Sequence, residues 1–158
     1  MIALVRVDDR LLHGQVLAAW VPFTKADMLV VASDEAASDS VLKGAIESEA
    51  DGEGLRVVVE SVRDVAKDTA AGAFEKNRAM FIVNCLKDAM RLYEEGFKFA
   101  SLNIGNIHHK TNGRVVTRSV ILDDEDERVI ERFEGMGVNI DIRDIPTKPA
   151  VPYARRAG

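Results

Sequence analysis

One stretch near the N-terminus holds most of the groups that could do chemistry: Asp8-Asp9-Arg10-Leu11-Leu12-His13-Gly14-Gln15. Of these side chains only histidine has an ordinary pKa near neutrality, so His13 is the candidate nucleophile. Arg10 stands just ahead of it and offers a planar fork of N–H donors that matches phosphoryl oxygens. Asp8 or Asp9 can orient the ring or the guanidinium, as acidic neighbours do for reacting histidines. Gly14 removes a side chain where a phosphate or a partner would approach.

What these residues can do depends on where the chain holds them. Residues 2–7 are apolar except for Arg6 and read as a strand; a short helix then starts at Gly14 or Gln15 and runs to Trp20. Ligands of open α/β sheets bind beyond the carboxyl ends of the strands, which is where this loop falls. His13 is thereby expected at a helix N-terminus, where the dipole disfavours an imidazolium and unpartnered N–H groups can hold phosphoryl oxygens. Phosphoryl transfer asks mainly for positioning and for stabilisation of peripheral negative charge, and this stretch supplies both. Spacing alone leaves two blander readings open: His13 as a surface residue at a helix start, and Arg10 with Asp8 or Asp9 as a solvated ion pair.

Short apolar runs recur along the chain and read as strands over residues 28–32, 55–59, 80–83, 97–102, 115–122 and 138–142. Helices are expected between them over residues 34–49, 61–74, 86–95 and 123–136, with Ser61 as a cap, Gly96 and Gly137 as stops and Asp123-Asp124-Glu125-Asp126-Glu127 as an acidic helix start. Strands alternating with helices imply parallel βαβ units, hence an α/β, doubly wound, three-layer fold with helices on both faces of the sheet. No helix separates residues 97–102 from 115–122, so a mixed sheet is expected there. The 158 residues fit a single domain, with an irregular, mobile tail from about residue 146 that contains Pro146, Pro149 and Pro152.

Composition narrows the function classes. A net charge of −5 argues against nucleic acid, which calls for clustered Lys and Arg. No run approaches the roughly 18 apolar residues of a membrane helix, and the first residues lack a signal-peptide pattern, so the expected location is the cytoplasm. The one cysteine, Cys85, reads as core filling in a reducing compartment. Dinucleotide and P-loop glycine patterns are absent, so no cofactor is expected. His108 and His109 lie side by side without partners at metal-ligand spacing, and no metal is expected. Their loop should lie beside His13, since both follow strands of one sheet; His108 and Lys110 are then contacts for phosphate or a partner. Trp20 and Phe23 read as packing, with a partly exposed Trp20 as one way to meet a partner.

The segment Arg6-Val7-Asp8-Asp9-Arg10-Leu11-Leu12-His13-Gly14-Gln15-Val16, followed by Trp20, resembles the signature of IIB components of the mannose/fructose/sorbose phosphotransferase family. Leu102-Asn103-Ile104-Gly105-Asn106-Ile107-His108-His109-Lys110 resembles a second family loop, and Thr117-Arg118-Ser119-Val120 the strand after it. The similarity runs from Arg6 to about Pro146. It implies a mostly parallel seven-stranded sheet with one antiparallel strand. It also implies a phosphohistidine at His13 Nδ1, with the motif arginine near the phosphoryl group at Arg10 and the first motif aspartate at Asp8; Gly14 and Gln15, at the helix start, are further candidate phosphoryl contacts. The donor would be a phosphohistidine on a IIA protein, charged through HPr. The acceptor would be a sugar presented by membrane components IIC and IID, with this chain peripherally associated. A regulatory module, in which phosphorylation of His13 controls binding rather than sugar uptake, is the alternative. A homodimer through a sheet edge or apolar patch stays open. The family loop usually has Gly-Gly where this chain has Gly105-Asn106, and the Pro-containing tail also differs.

Overall fold

A computed structural model of the chain describes residues 1–108 and 111–155. The strands are β1 (Ile2–Asp8), β2 (Met28–Ala32), β3 (Arg56–Glu60), β4 (Ala79–Val83), β5 (Ser101–Asn106), β6 (Arg114–Thr117), β7 (Val120–Leu122) and β8 (Asn139–Ile142). The helices are α1 (Val21–Thr24), entered through a π-helical turn at Val16–Trp20, then α2 (Asp34–Ser38), α3 (Ser40–Glu49), α4 (Val62–Ala70), α5 (Leu86–Glu94) and α6 (Asp124–Gly135).

Among the described residues, six strands form one parallel sheet in the order β3-β2-β4-β1-β5-β8. The expected α/β, three-layer architecture is present, but the strand count differs. In place of seven strands with one antiparallel member, β6 and β7 form a separate antiparallel pair, tied to the sheet by a bridge between Ile107 and Val120. The run 115–122 was expected as one strand. It breaks at Arg118-Ser119 because the Thr117 hydroxyl accepts from the Ser119 N–H and turns the chain.

Two hydrophobic clusters lie on the two sheet faces. One joins Val5 and Val7 of β1 to Val62 and Val65 of α4, Leu86 and Ala89 of α5, and Ile130 and Phe133 of α6. The other joins Leu29, Val31, Met80 and Ile82 to Val16, Trp20, Ala36 and Ile46. Every residue of β2 and β4 is buried, which accounts for their unbroken apolar sequences. The strands nearest the carboxyl-end loop of β1 behave differently. Side chains alternate across a strand, so Val5 and Val7 face the first cluster while Arg6 and Asp8 face the Trp20 side. In β5, Leu102 and Ile104 likewise face the first cluster, leaving Asn103 and Gly105 on the Trp20 side. A polar seam therefore runs over β1, β5 and β8 on one face only.

Several expected boundaries move. The span 34–49 is two helices, because Asp39 leaves the helical region (φ −116°, ψ 105°) and caps α3 by accepting from the N–H groups of Val41 and Leu42. The strand expected at 97–102 begins at Ser101; Phe97 and Phe99 are buried in the approach to it. Asp123 caps α6 in a capping box with Asp126, and the acidic run occupies its first turn as expected. The described part of the tail, residues 146–155, is irregular but fastened: Val151 N–H donates to Ile142 O at 2.8 Å, and the Tyr153 hydroxyl donates to Glu127 Oε1 at 3.2 Å. Burial foremost, with the Glu127 and Glu131 carboxylates beside it, pushes the Tyr153 hydroxyl up to about 12.

Candidate functional site

The chain leaves β1 at Asp8 and turns at once. Leu11 N–H donates to Asp8 O at 2.9 Å, and Arg10 N–H donates to Asp8 Oδ1 at 3.0 Å. The turn forces Leu11 into the left-handed region at φ 57°, which costs a branched side chain about 1–2 kcal/mol. Burial of Leu11 and Leu12 against the Trp20 cluster offsets that cost and anchors the loop. Helical structure begins at residue 14, so His13 stands immediately before it, its carbonyl accepting from Val16 N–H (3.1 Å) and Leu17 N–H (3.3 Å).

The ring of His13 is 17% exposed, and its Nε2 lies 2.7 Å from Oδ2 of fully buried Asp8. Burial pushes the Asp8 carboxyl up. The opposing effects of the His13 hydrogen bond, the Arg6 charge and the Arg10 N–H are stronger together, and its pKa falls below the usual carboxylate value. An ionised Asp8 can only accept, so the shared hydrogen belongs on Nε2. Nδ1 is then the nitrogen with the free lone pair, and among the described residues it makes no hydrogen bond.

Behind Asp8 lies a buried cation, Arg6. Arg6, also fully buried, donates from Nε (3.3 Å) and Nη2 (3.1 Å) to Asp8 Oδ2, and from Nη1 to Asn103 Oδ1 at 2.6 Å. Its guanidinium carbon sits 5.1 Å from the Trp20 ring centroid. Burial lowers the Arg6 pKa although Asp8 works the other way. Asn103 passes the network on, donating to Asp141 O (3.2 Å) and Arg143 O (3.1 Å) beside β8. A charged residue inside a strand expected to be buried on both faces was the available signal, because such a charge requires a partner.

Gly105 has a specific reason to be glycine. A Cβ there would overlap the Arg6 guanidinium, which Asp8 and Asn103 hold in place. A Cβ on Gly14 would meet nothing within 4 Å. Gly105→Ala is therefore expected to destabilise the chain by about 1–3 kcal/mol, an overpacking effect, while Gly14→Ala stays within about 0.5 kcal/mol of wild type. Urea midpoints of the two variants check this.

The remaining expected residues divide. Arg10 is 46% exposed, lies 3.8 Å from Asp8 Oδ1 through Nε, and donates from Nη2 to Gln15 Oε1 at 3.1 Å. Arg10, Gln15 and His13 thus share one rim. Asp9 points away from the ring: its Oδ2 accepts from His108 N–H at 2.6 Å, and its N–H donates to Asn106 O at 3.0 Å. The loop after β5 does adjoin the loop after β1, as expected, but through Asp9. No contact between His108 and His13 occurs among the described residues, and His109 and Lys110 lie outside those residues.

Trp20 is fully buried rather than partly exposed, its Nε1 donating to Asp144 O at 2.7 Å, and is unavailable to a partner. Cys85 is half-buried just before α5 rather than in the core, and burial foremost pushes its thiol up, away from the reactive thiolate. Among the described residues no group of His, Cys, Asp and Glu could hold a metal ion, and no helix is long and apolar enough to cross a membrane.

Comparison with known proteins gives the chain its family. The family model for the "PTS system sorbose subfamily IIB component" matches residues 2–155, a span that takes in the three tail prolines. The fructose-specific EIIB component of Bacillus subtilis is 31% identical over 154 residues, covering 98% of this chain and 94% of that protein. The mannose-specific EIIAB component of Escherichia coli K12 is 30% identical over 149 residues, which cover 94% of this chain but only 46% of that longer protein. The crystal structure of the IIBSor domain of the sorbose permease from Klebsiella pneumoniae superposes with a TM-score of 0.88 at 26% identity, covering 96% of this chain and 92% of that one. By sequence and by fold, then, this chain belongs to the sorbose subfamily of IIB components of the phosphotransferase system.

Proposed function

We propose that the chain is a cytoplasmic phosphoryl carrier, that residues 1–158 form one such domain, and that His13 Nδ1 is the atom phosphorylated. The observation that carries this is the 2.7 Å hydrogen bond between Asp8 Oδ2 and His13 Nε2, because a hydrogen held on Nε2 leaves the lone pair of Nδ1 free to act as the nucleophile. The lone pair of Nδ1 attacks phosphorus on a IIA phosphohistidine; the new P–N bond forms as the old one breaks and the donor ring keeps the released electron pair. Positive charge then develops on the His13 ring. Asp8, ionised and fixed, stabilises it through Nε2–H.

The phosphoryl oxygens need donors, and the rim supplies them. Gly14 and Gln15 present N–H groups that have no intrahelical partner, and Arg10 can turn its exposed fork onto the same oxygens. His108 lies on the neighbouring loop, where it adds a donor on the side a partner protein would cover. Exchange between two imidazoles has little driving force of its own. The step that commits is transfer to a sugar hydroxyl presented by IIC and IID at the membrane. The relatives carry the names of fructose, mannose and sorbose, so the site supports a sugar without selecting one.

The test is to incubate the purified chain with phosphoenolpyruvate, the general phosphotransferase enzyme, HPr and the cognate IIA. Acid-labile phosphate is expected on the chain, with its nitrogen identified as His13 Nδ1 by NMR. Phosphate at Nε2, at His108, or nowhere under conditions that charge IIA would overturn the proposal. Adding membranes with IIC and IID should then release sugar phosphate; stable phosphorylation without sugar consumption would favour regulation over transport.

A further inference from the structure

We infer that Asn106 is a positioning residue for His13, holding the Asp8 oxygen that in turn holds the ring. The inference rests on the carrier reading above and concerns how the nucleophile is aimed. Asn106 is the last residue of β5 and is buried, with 2% of its surface exposed. Its Nδ2 donates to Asp8 Oδ2 at 2.9 Å, the same oxygen that receives His13 Nε2 at 2.7 Å.

The placement follows from an irregularity in the sheet. Arg6 lies opposite Asn103 and Val7 opposite Ile104, but Asp8 lies opposite Asn106, so the register slips by one residue at Gly105. Without the slip Asp8 would face Gly105, and alternation would turn Asn106 to the other face of the sheet. Extra residues of this kind re-aim side chains beside functional sites, and here the re-aimed group is an amide.

What the amide does follows from the competition for Oδ2. That oxygen is also within reach of Arg6 Nε (3.3 Å) and Nη2 (3.1 Å), both longer than the contacts to His13 and Asn106. Asn106 approaches from β5, is neutral, and keeps its donor at every pH. It holds Oδ2 at the His13 end of the carboxylate's range of motion. Without it, Asp8 is drawn toward the Arg6 fork and the Nε2 contact loosens. The Nε2–H tautomer then loses the acceptor that favours it, and the share of rings with Nδ1 unprotonated falls.

The experiment compares wild type with Asn106→Gly, Asn106→Leu and Asn106→Gln. The readouts are ¹⁵N NMR of the His13 ring at a pH where it is neutral, phosphate uptake from charged IIA, and thermal melting. Wild type should show a single Nε2–H tautomer. The Gly and Leu variants should show both tautomers and take up phosphate about tenfold more slowly, and Gln, which keeps an amide, should lie between. Wild-type tautomer and rate in folded Asn106→Gly would overturn the inference. So would slow uptake with an unchanged tautomer, since a purely structural role predicts that. If wild type itself gains no phosphate, the carrier reading fails, and the tautomer measurement still decides the role of Asn106.

Discussion

His13→Ala should abolish phosphate uptake from charged IIA while leaving the chain folded and nearly as stable as wild type. The two halves of this expectation come from the same hydrogen bond. Chemically, Nδ1 is the ring nitrogen of His13 that Asp8 leaves free to attack, and His108, the other described histidine, lies on the neighbouring loop with its backbone N–H on Asp9. Structurally, the loss is mild. Asp8 keeps Arg6, Asn106 and the Arg10 N–H, and the ring is partly open, so water can replace Nε2–H. The cost should be about 1 kcal/mol, a lowering of the melting temperature by about 2–4 °C for a chain of this length. Uptake by the variant comparable to wild type would exclude His13 as the acceptor. A large fall in melting temperature would mean that its ring carries more of the fold than this account allows.

Asp8→Ala should do the reverse, and its main effect is on stability. Among the described residues, removing the carboxylate leaves the buried Arg6 guanidinium with the Asn103 side-chain oxygen as its one remaining hydrogen-bond acceptor. Breaking a buried pair from one side costs about 3–5 kcal/mol, because the surviving charge stays desolvated, and this corresponds to about 6–20 °C in melting temperature. Uptake should fall as well, since nothing remains to hold Nε2–H. The Asp8 carboxyl is also the source of an acid-side signature. Its folded-state pKa is depressed, so its contribution is complete above the ordinary carboxylate value of about 3.9 and is lost as pH falls through the lower folded value. Urea unfolding across that range should show wild type losing stability toward acid more steeply than Asp8→Asn, which has no proton to take up there. Equal slopes would remove Asp8 as the origin.

The contrast between those variants also explains what could be read in advance. The loop from Asp8 to Gln15 is contiguous, so its functional grouping is visible along the chain. The supports of that loop are not contiguous. Arg6, Asn103, Gly105 and Asn106 come together only through the pairing of β1 with β5, and the place of Asn106 beside Asp8 depends on a register slip that no local pattern announces. The limits of β5 were misplaced for the same reason: Phe97 and Phe99 carry the apolar signal but lie before the strand, whereas Asn103 and Asn106 are polar residues inside it. The α/β layering survived these errors because it rests on β2 and β4, whose uninterrupted apolar runs admit few other placements. The division of residues 34–49 turned on one backbone conformation at Asp39, and the break in 115–122 on one hydroxyl at Thr117.

Trp20 gives the polar seam a practical use. It is the chain's one tryptophan, and its indole lies 5.1 Å from the Arg6 guanidinium and 5.7 Å from that of Arg143, with its N–H on the Asp144 carbonyl. Emission from a single fluorophore this close to two cations responds to shifts in the local field. Ultraviolet excitation can therefore follow the seam behind His13 in unlabelled protein, in real time, while a donor is mixed in.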